Sequence, residues 1–350
     1  MKKTSTRLAD GRELLYYDEA DDRVRDAVDR RPLTPVATAS EIRRDVLLGD
    51  SVAIASHRQE RTYLPPADAC PLCPSREGHE SEIPAADYDV AVFENRFPSL
   101  AGDSGRCEVV CFTSDHDSSF ADLTEEQAAL VLAAWTDRTA EMGQLAAVEQ
   151  VFCFENRGAE IGVTLGHPHG QIYGYPYVTP RTDLMLRSLK AHADRTQGAS
   201  NLFDEVVARE RAEGTRIVLE GEHWTAFVPY AAHWPYEVHL HPTRRVPDLL
   251  ALDDAARAEF PSVYLELLRR FDRIFGPDQP PTPYISAWHQ APFRHPLREE
   301  FALHLELFSI RRTSGKLKVL AGSESGMGAF VNDVSPEAAA TRLREVASDK

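Results

Sequence analysis

The stretch Gly166-His167-Pro168-His169-Gly170-Gln171 decides how this chain is read. If His167 to Gln171 is extended, alternate side chains point to one side of a strand. His167, His169 and Gln171 then form a row of three, with Pro168 and Gly170 turned away. Two imidazoles and a carboxamide on one strand face are costly to bury without partners. The plain alternative is a pair of surface histidines beside a turn. The chemical reading is that a neutral imidazole, held by a hydrogen bond at one nitrogen, offers the other nitrogen as a nucleophile. An ordinary pKa of about 6.5 leaves such a ring largely uncharged near neutral pH.

The chain around this stretch has 350 residues, enough for two ordinary domains or one duplicated one. Its 43% hydrophobic content suits a globule with a core, and no apolar run approaches the roughly 20 residues a membrane span needs. Met1-Lys2-Lys3-Thr4-Ser5 leads into charged sequence rather than an apolar leader. Five cysteines without such a leader point to reduced thiols and a cytoplasmic protein. The net charge of −16 argues against nucleic-acid or membrane-surface partners, which need a basic footprint. A small phosphorylated ligand needs only a few local cations and backbone N–H groups, and stays allowed.

Periodicity and caps predict strands near 52–55, 89–93, 108–113, 150–155, 216–219, 224–228, 237–241, 284–288 and 301–308. Thr124-Glu125-Glu126-Gln127 reads as a capping box opening a helix to about Leu145, with Leu130, Trp135 and Met142 facing inward. Further helices are expected at 183–194 and 201–213, from Asp253 to Phe275 with a kink at Pro261, and from Ser335-Pro336-Glu337 onward. A short helix is expected at 21–31. The series strand, helix, strand, glycine-containing loop, strand over 108–174 is echoed over 224–308. The second series ends in His304-Leu305-Glu306-Leu307 where the first ended in His167-Pro168-His169-Gly170. This pattern reads as a duplicated unit whose first copy alone keeps the nucleophile. Cys70-Pro71-Leu72-Cys73 sits in a loop and offers two thiolates on one side of a turn, half of a tetrahedral zinc site. Cys107 and Cys111, which can share a strand face, are one candidate for the other half.

Several further stretches stand in order about the histidine row. They are Cys70-Pro71-Leu72-Cys73, Phe93-Glu94-Asn95-Arg96-Phe97, Cys111 to His116, Glu155-Asn156-Arg157-Gly158, His223-Trp224, Val228-Pro229-Tyr230 and Trp288-His289-Gln290-Ala291-Pro292-Phe293. Together with His167-Pro168-His169-Gly170-Gln171 they resemble the galactose-1-phosphate uridylyltransferases of the histidine-triad superfamily, from about Asp50 to near the C-terminus. The resemblance implies an α+β, duplicated histidine-triad fold: two fused repeats sharing a mostly antiparallel sheet flanked by helices. Residues 1–45 would be an N-terminal extension. The catalytic repeat with its zinc site would cover 46–195, and the repeat with a hexose-binding loop 196–350.

The same resemblance implies an enzyme of galactose metabolism that exchanges UMP between UDP-glucose and galactose 1-phosphate in ping-pong fashion. His169 would be the nucleophile, Gln171 would donate to the α-phosphoryl oxygens, and Thr164 would help hold that phosphate. Arg58, Arg61, Asn95, Asn156, Gly162, Lys318 and Glu324 would bind substrate, with Phe97 available for stacking. His116 and His167 would complete a structural zinc site with Cys70 and Cys73, the alternative to a four-cysteine set. A second metal, iron or zinc, would have His289, His304 and Glu306, since Glu306 replaces a histidine and Met185 stands where a glutamate is expected. Partners would be UDP-glucose, UDP-galactose and hexose 1-phosphates, with a homodimer sharing its active sites. Ser323 in place of a tyrosine, and Phe330-Val331 where a glutamine is expected, leave the sugar open. The competing readings are a nucleotide-sugar (ADP-glucose type) or dinucleoside-polyphosphate phosphorylase using the same histidine, and a zinc-stapled nucleotide-binding module without turnover.

Overall fold

A computed structural model describes residues 1–35, 40–56, 58 and 65–348. It divides into two compact units. The first comprises 1–153, 164–183 and 292–295, the second 154–163, 184–291 and 296–350. Among the described residues no helix is long and apolar enough to cross a membrane.

In the first unit, β1 (Lys2–Arg7), β2 (Glu13–Asp18), β5 (Val90–Glu94), β6 (Arg106–Cys111) and β8 (His169–Tyr175) lie side by side in that order, every pair antiparallel. A separate hairpin joins β3 (Glu41–Arg44) to β4 (Ser51–Ile54). Helix α1 (Glu125–Gly143) packs across β2, β5 and β8. Its start is as expected: Thr124 accepts from the Gln127 N–H, and the Gln127 side chain returns to the Thr124 N–H. Leu130, Trp135 and Met142 are buried, as the helical spacing requires.

The pairing of β6 with β8 sorts side chains between two faces. Cys107, Val109 and Cys111 stand opposite Tyr173, Gln171 and His169, so all six share one face. Glu108 points to the other face, where it receives a two-pronged bond from Arg138 of α1, Nε and Nη2 each at 2.9 Å. Such a fork between two buried, oppositely charged groups fixes the helix on the sheet through direction as well as charge. Close packing at the end of β8 depends on glycine: a Cβ at Gly105, whose φ is +107°, would stand 2.2 Å from the Gly174 carbonyl oxygen.

No helix forms at 21–31, contrary to expectation. The arginines there are drawn away instead: Arg25 binds Asp18 and the Asp87 carbonyl, and Arg31 binds Asp29 and Glu82. Ion pairs and hydrogen bonds to Asp18 of β2, to Asp87 and to Glu82 outcompete a weak local helix in so charged a stretch.

In the second unit the tail of β7 (Gln150–Arg157), β12 (Tyr284–His289), β13 (His304–Ser309), β11 (Tyr236–Pro242), β10 (Trp224–Phe227) and β9 (Ile217–Glu220) are neighbours in that order, again antiparallel. Helix α4 (Asp254–Arg273) runs continuously through Pro261. Asp253 caps it by accepting from the Ala256 N–H. Helix α6 (Pro336–Glu345) starts from Ser335 as the Ser-Pro-Glu signature implies. Helices α2 (Pro180–Thr196) and α3 (Leu202–Glu213), the hairpin β14 (Arg311–Thr313) to β15 (Lys316–Leu317), and the short α5 (Gly322–Met327) complete the chain. The series β6, α1, β7, β8 recurs as β11, α4, β12, β13, which matches the duplicated order read from the sequence.

One buried acid of this unit carries a prediction. Glu155 accepts from the Tyr284 hydroxyl at 2.9 Å, and burial pushes its carboxyl up to about 7. The fold therefore keeps a proton that the unfolded chain releases from near pH 4.5. Stability falls as pH rises through that window and levels off above it. Glu155→Gln keeps an acceptor for Tyr284 without the buried charge. It is expected to be stabilised by ~2 kcal/mol at pH 8 and unchanged near pH 4.5, read from thermal melts at the two pH values.

Candidate active site

The strand face of β8 opens onto a cavity of about 430 Å³ in the first unit. His169, Gln171, Thr164, Asn95, Phe97 and Arg58 line it, so six positions expected to meet substrate are brought together. Strand β8 begins at His169, however, so the three-residue row is divided: His167 is buried before the strand starts and serves a different cluster. Arg61 lies outside the described residues. Asn156 and Gly162 are not among the residues lining this cavity. Asn156 stands opposite Ile285 in the second unit, and Gly162 takes a left-handed conformation at φ +82° after a short turn.

His169 is half-buried, and its Nδ1 lies 2.7 Å from the His167 carbonyl oxygen. A carbonyl only accepts, so Nδ1 carries the hydrogen and Nε2 keeps its lone pair. Burial also holds the ring's pKa below the ordinary value, against the opposing pull of that hydrogen bond. The result is a neutral, directed imidazole. Two residues along the same face, the Tyr173 hydroxyl donates to the Gln171 amide oxygen at 3.2 Å. Gln171 is thereby oriented with its N–H₂ group as the remaining donor. Tyr173 in turn meets Ser99 at 3.2 Å, and Ser99 accepts from Arg58. Asn95 accepts from the Phe97 N–H at 2.8 Å, which likewise leaves its amide N–H₂ as a donor.

The same wall holds cations that the sequence reading passed over. Arg31 and Arg96 line the cavity, both turned toward the buried Glu82, at 3.0 and 3.9 Å. Arg12 also binds Glu82 from the interior. Arg96 stood within a quoted motif and could have been singled out there. Arg31 had no local signal, because only the tertiary fold brings an N-terminal loop to this wall. Tyr173 was discoverable by extending the two-residue period from His169 and Gln171.

Beside the cavity, Cys70, Cys73, His116 and His167 offer one donor atom each, all within 4.8 Å of one another. Cys73 Sγ lies 3.3 Å from His116 Nδ1 and 3.6 Å from His167 Nδ1. With Zn–S near 2.3 Å and Zn–N near 2.0 Å, tetrahedral ligands stand roughly 3.4–3.8 Å apart, so the spacing fits. The tautomer fits too. His167 Nε2 sits 2.8 Å from the Thr113 carbonyl oxygen and 2.7 Å from the Tyr88 hydroxyl, which itself donates to the Leu72 carbonyl. Nε2 is thus the protonated nitrogen, and Nδ1 faces the thiols. Burial pushes the Cys73 thiol up to about 12, so a cation is needed to hold it as thiolate. Of the rival set, Cys111 is buried near this cluster, but Cys107 sits farther along β6 beside Tyr173. The four described donors that converge are two cysteines and two histidines.

In the second unit, His289, His304 and Glu306 also converge within 4.8 Å. Lys318 and Glu324, expected in the hexose loop, pair with one another at 2.9 Å.

Residues 100–179 match the family description "Galactose-1-phosphate uridyl transferase, N-terminal domain", and residues 187–350 match its C-terminal domain. A galactose-1-phosphate uridylyltransferase of Streptomyces lividans is 69% identical over 353 residues, spanning 99% of this chain and 98% of the relative. The chain belongs to the galactose-1-phosphate uridylyltransferase family. A solved uridylyltransferase structure superposes with a TM-score of 0.75 at 31% identity, covering 87% of this chain and 98% of that one. An ADP-glucose phosphorylase of Arabidopsis thaliana, solved with bound ADP-glucose, shares the fold at a TM-score of 0.68 and 21% identity, covering 89% of this chain and all of that one (100%). The family so identified is the one the histidine row and its flanking motifs indicated.

Proposed function

We propose that this chain transfers UMP from UDP-glucose to galactose 1-phosphate through a covalent uridylyl-histidine at His169. Nε2 of His169 attacks the α-phosphorus, the bond from that phosphorus to the bridging oxygen breaks, and glucose 1-phosphate leaves. A phosphate oxygen of galactose 1-phosphate then attacks the same phosphorus, the P–N bond breaks, and UDP-galactose forms with the imidazole restored. The observation that carries this reading is the Nδ1 hydrogen bond to the His167 carbonyl, on a residue that lines a cavity shared with Gln171, Thr164 and Arg58.

Each neighbour has a task. Gln171, with its oxygen already occupied by Tyr173, donates to the α-phosphoryl oxygens as charge builds there. An amide at this position carries no transferable proton, which favours a lasting adduct over acid-assisted hydrolysis. Arg58 and Thr164 hold phosphate, and Asn95 binds the nucleoside, with Asn156 and Gly162 assigned to the nucleotide and its phosphate. Arg61 is assigned with Arg58, and Lys318 and Glu324 with the hexose phosphate. Cys70, Cys73, His116 and His167 would hold a structural zinc. With all four positions taken by protein it would supply rigidity rather than a reactive water. It would also fix His167, whose carbonyl aims the nucleophile. A second cation, iron or zinc, is assigned to His289, His304 and Glu306. The protein would work as a cytoplasmic homodimer; the exposed apolar tip Val46-Leu47-Leu48 of the β3–β4 hairpin supports a self-association surface.

The test is incubation with UDP-glucose labelled at the α-phosphate. Label is expected on the protein in an acid-labile, base-stable adduct, released as UDP-galactose on adding galactose 1-phosphate. Release by inorganic phosphate instead would point to a phosphorylase. An unlabelled protein would sink the covalent reading.

A further inference from the structure

The cavity at His169 continues across the sheet, away from the nucleophile. Gln171 stands opposite Val109 and Val109 opposite Phe93, so the three form a row over β8, β6 and β5, and all three line the cavity. Two strand spacings put Phe93 about 10 Å from Gln171. An extended nucleoside monophosphate spans a similar distance from its phosphorus to the outer edge of its base. With the α-phosphorus at Nε2 of His169, as proposed above, the base lies over Val109 and Phe93, an apolar floor suited to a flat ring.

Polar groups close the end of that floor. Arg12 donates to the Glu94 carbonyl at 2.8 Å and also binds Glu82, which places Glu82 beside the end of β5. Glu82 is buried, lines the cavity and is met by three guanidinium groups. Arg12 is turned inward, where Asp10 accepts from its Nε at 2.8 Å. Arg31 and Arg96 line the cavity, and both approach the same oxygen, Glu82 Oε1, through Nη1 at 3.0 and 3.9 Å. Asp29 aims Arg31 by accepting from its Nε and Nη2 at 2.9 and 2.8 Å, and is itself tied to the Ala9 N–H at 3.0 Å. Such a fork fixes the plane of the guanidinium. Arg96 stands farther off, with its side chain 40% exposed. The wall therefore groups two N–H donors about one carboxylate acceptor.

Uracil is complementary to that set, because its outer edge carries an N–H, at N3, between two carbonyl oxygens, O2 and O4. Resting on the nucleotide orientation of the proposed function, we infer that Arg31, Glu82 and Arg96 select the uracil base. Glu82 Oε1 accepts from N3–H, and the two guanidinium groups donate to O2 and O4. Cytosine has a lone pair at N3 and an amino group at C4, so it sets acceptor against acceptor and donor against donor. Adenine, with a lone pair at N1 and an amino group at C6, meets the same mismatch. A site discriminates in this way because the wrong base leaves its buried polar groups unpaired. The N-terminal segment, read from the sequence as an extension, thereby takes part in the substrate site through Arg31 and the positioning residue Asp29.

Titration calorimetry with UMP, CMP and AMP on the full chain tests the base contacts without turnover. It can fail while label from UDP-glucose still attaches to the protein, and the reverse. UMP is expected to bind about 100-fold or more tighter than CMP or AMP. Arg96→Met keeps an unbranched stem without the donor, and should weaken UMP about 10-fold while changing CMP little. Glu82→Gln replaces the acceptor with an amide able to turn its N–H₂ group to cytosine N3, so the UMP-to-CMP preference should fall by about 10-fold or more. Arg31→Lys keeps the charge but loses the fork to Asp29, and should lower the same preference. Near-UV circular dichroism before titration keeps only folded variants in the comparison, and the partly exposed Arg96 supplies one whose fold does not depend on the buried cluster. Equal affinity for UMP and CMP in the unmodified protein overturns the proposal, as does an unchanged preference in folded Arg96→Met protein.

Discussion

His169→Ala is expected to abolish turnover, lowering kcat/KM by about 10⁴-fold or more, because it removes the attacking nitrogen itself. The fold should survive. The imidazole is half-buried at the start of an otherwise intact strand, and among the described residues its hydrogen bond runs to a backbone carbonyl two residues away. A melting temperature within about 2 °C of the parent is therefore expected, as for a substitution that removes one modest hydrogen bond. The two readouts together separate a lost nucleophile from a lost fold. The labelled α-phosphate should no longer attach to the protein, and a variant that still acquires label would move the nucleophile elsewhere. His169→Gly leaves a ring-sized gap, so partial activity with an added imidazole-linked uridylate is the expected rescue.

Cys73→Ser should act in the reverse order, on metal content and stability before chemistry. Cys73 is buried, and its sulfur is the donor facing both His116 and His167. A serine hydroxyl is a poor zinc ligand at neutral pH, so about one zinc per chain is expected to be lost. Metal binding in such a site is also folding free energy. Losing it is expected to cost several kcal/mol, which for a unit of this size lowers the melting temperature by roughly 10 °C. A smaller fall in kcat follows from the backbone: once His167 is released from the cluster, the carbonyl that aims His169 loses its anchor. Full zinc retention in Cys73→Ser would remove this cluster as the binding site. A kcat loss as large as that of His169→Ala would mean that the metal takes part in the chemistry.

Sequence legibility tracked the range of the interactions involved. The capping box at Thr124 and the Asp253 cap are local and formed where they were read, and the two-residue period of β8 formed from His169 onward. His169, Gln171 and Asn95 were found because short motifs carry them, and Thr164 through the resemblance of the stretch before His167. The expected helix at 21–31 failed because Arg25 turned back to the buried Asp18 of β2 and Arg31 found the buried Glu82 far along the chain. The row of three divided because His167 precedes the strand, where its ring meets Tyr88 and the 70s loop rather than the cavity.

By itself the sequence determined the α+β class, the duplicated order of elements and which imidazole, that of His169, shares a strand face with Gln171. Those features depend on side-chain periodicity, caps and contiguous motifs, which operate over a few residues. Only the tertiary structure decided that His116 and His167, rather than Cys107 and Cys111, face Cys70 and Cys73. It alone brought Arg31 to the cavity wall and set His239 against Glu306. Loop packing made the first two choices and strand register the third, and bringing together residues dozens of positions apart is a global result that no local stretch encodes.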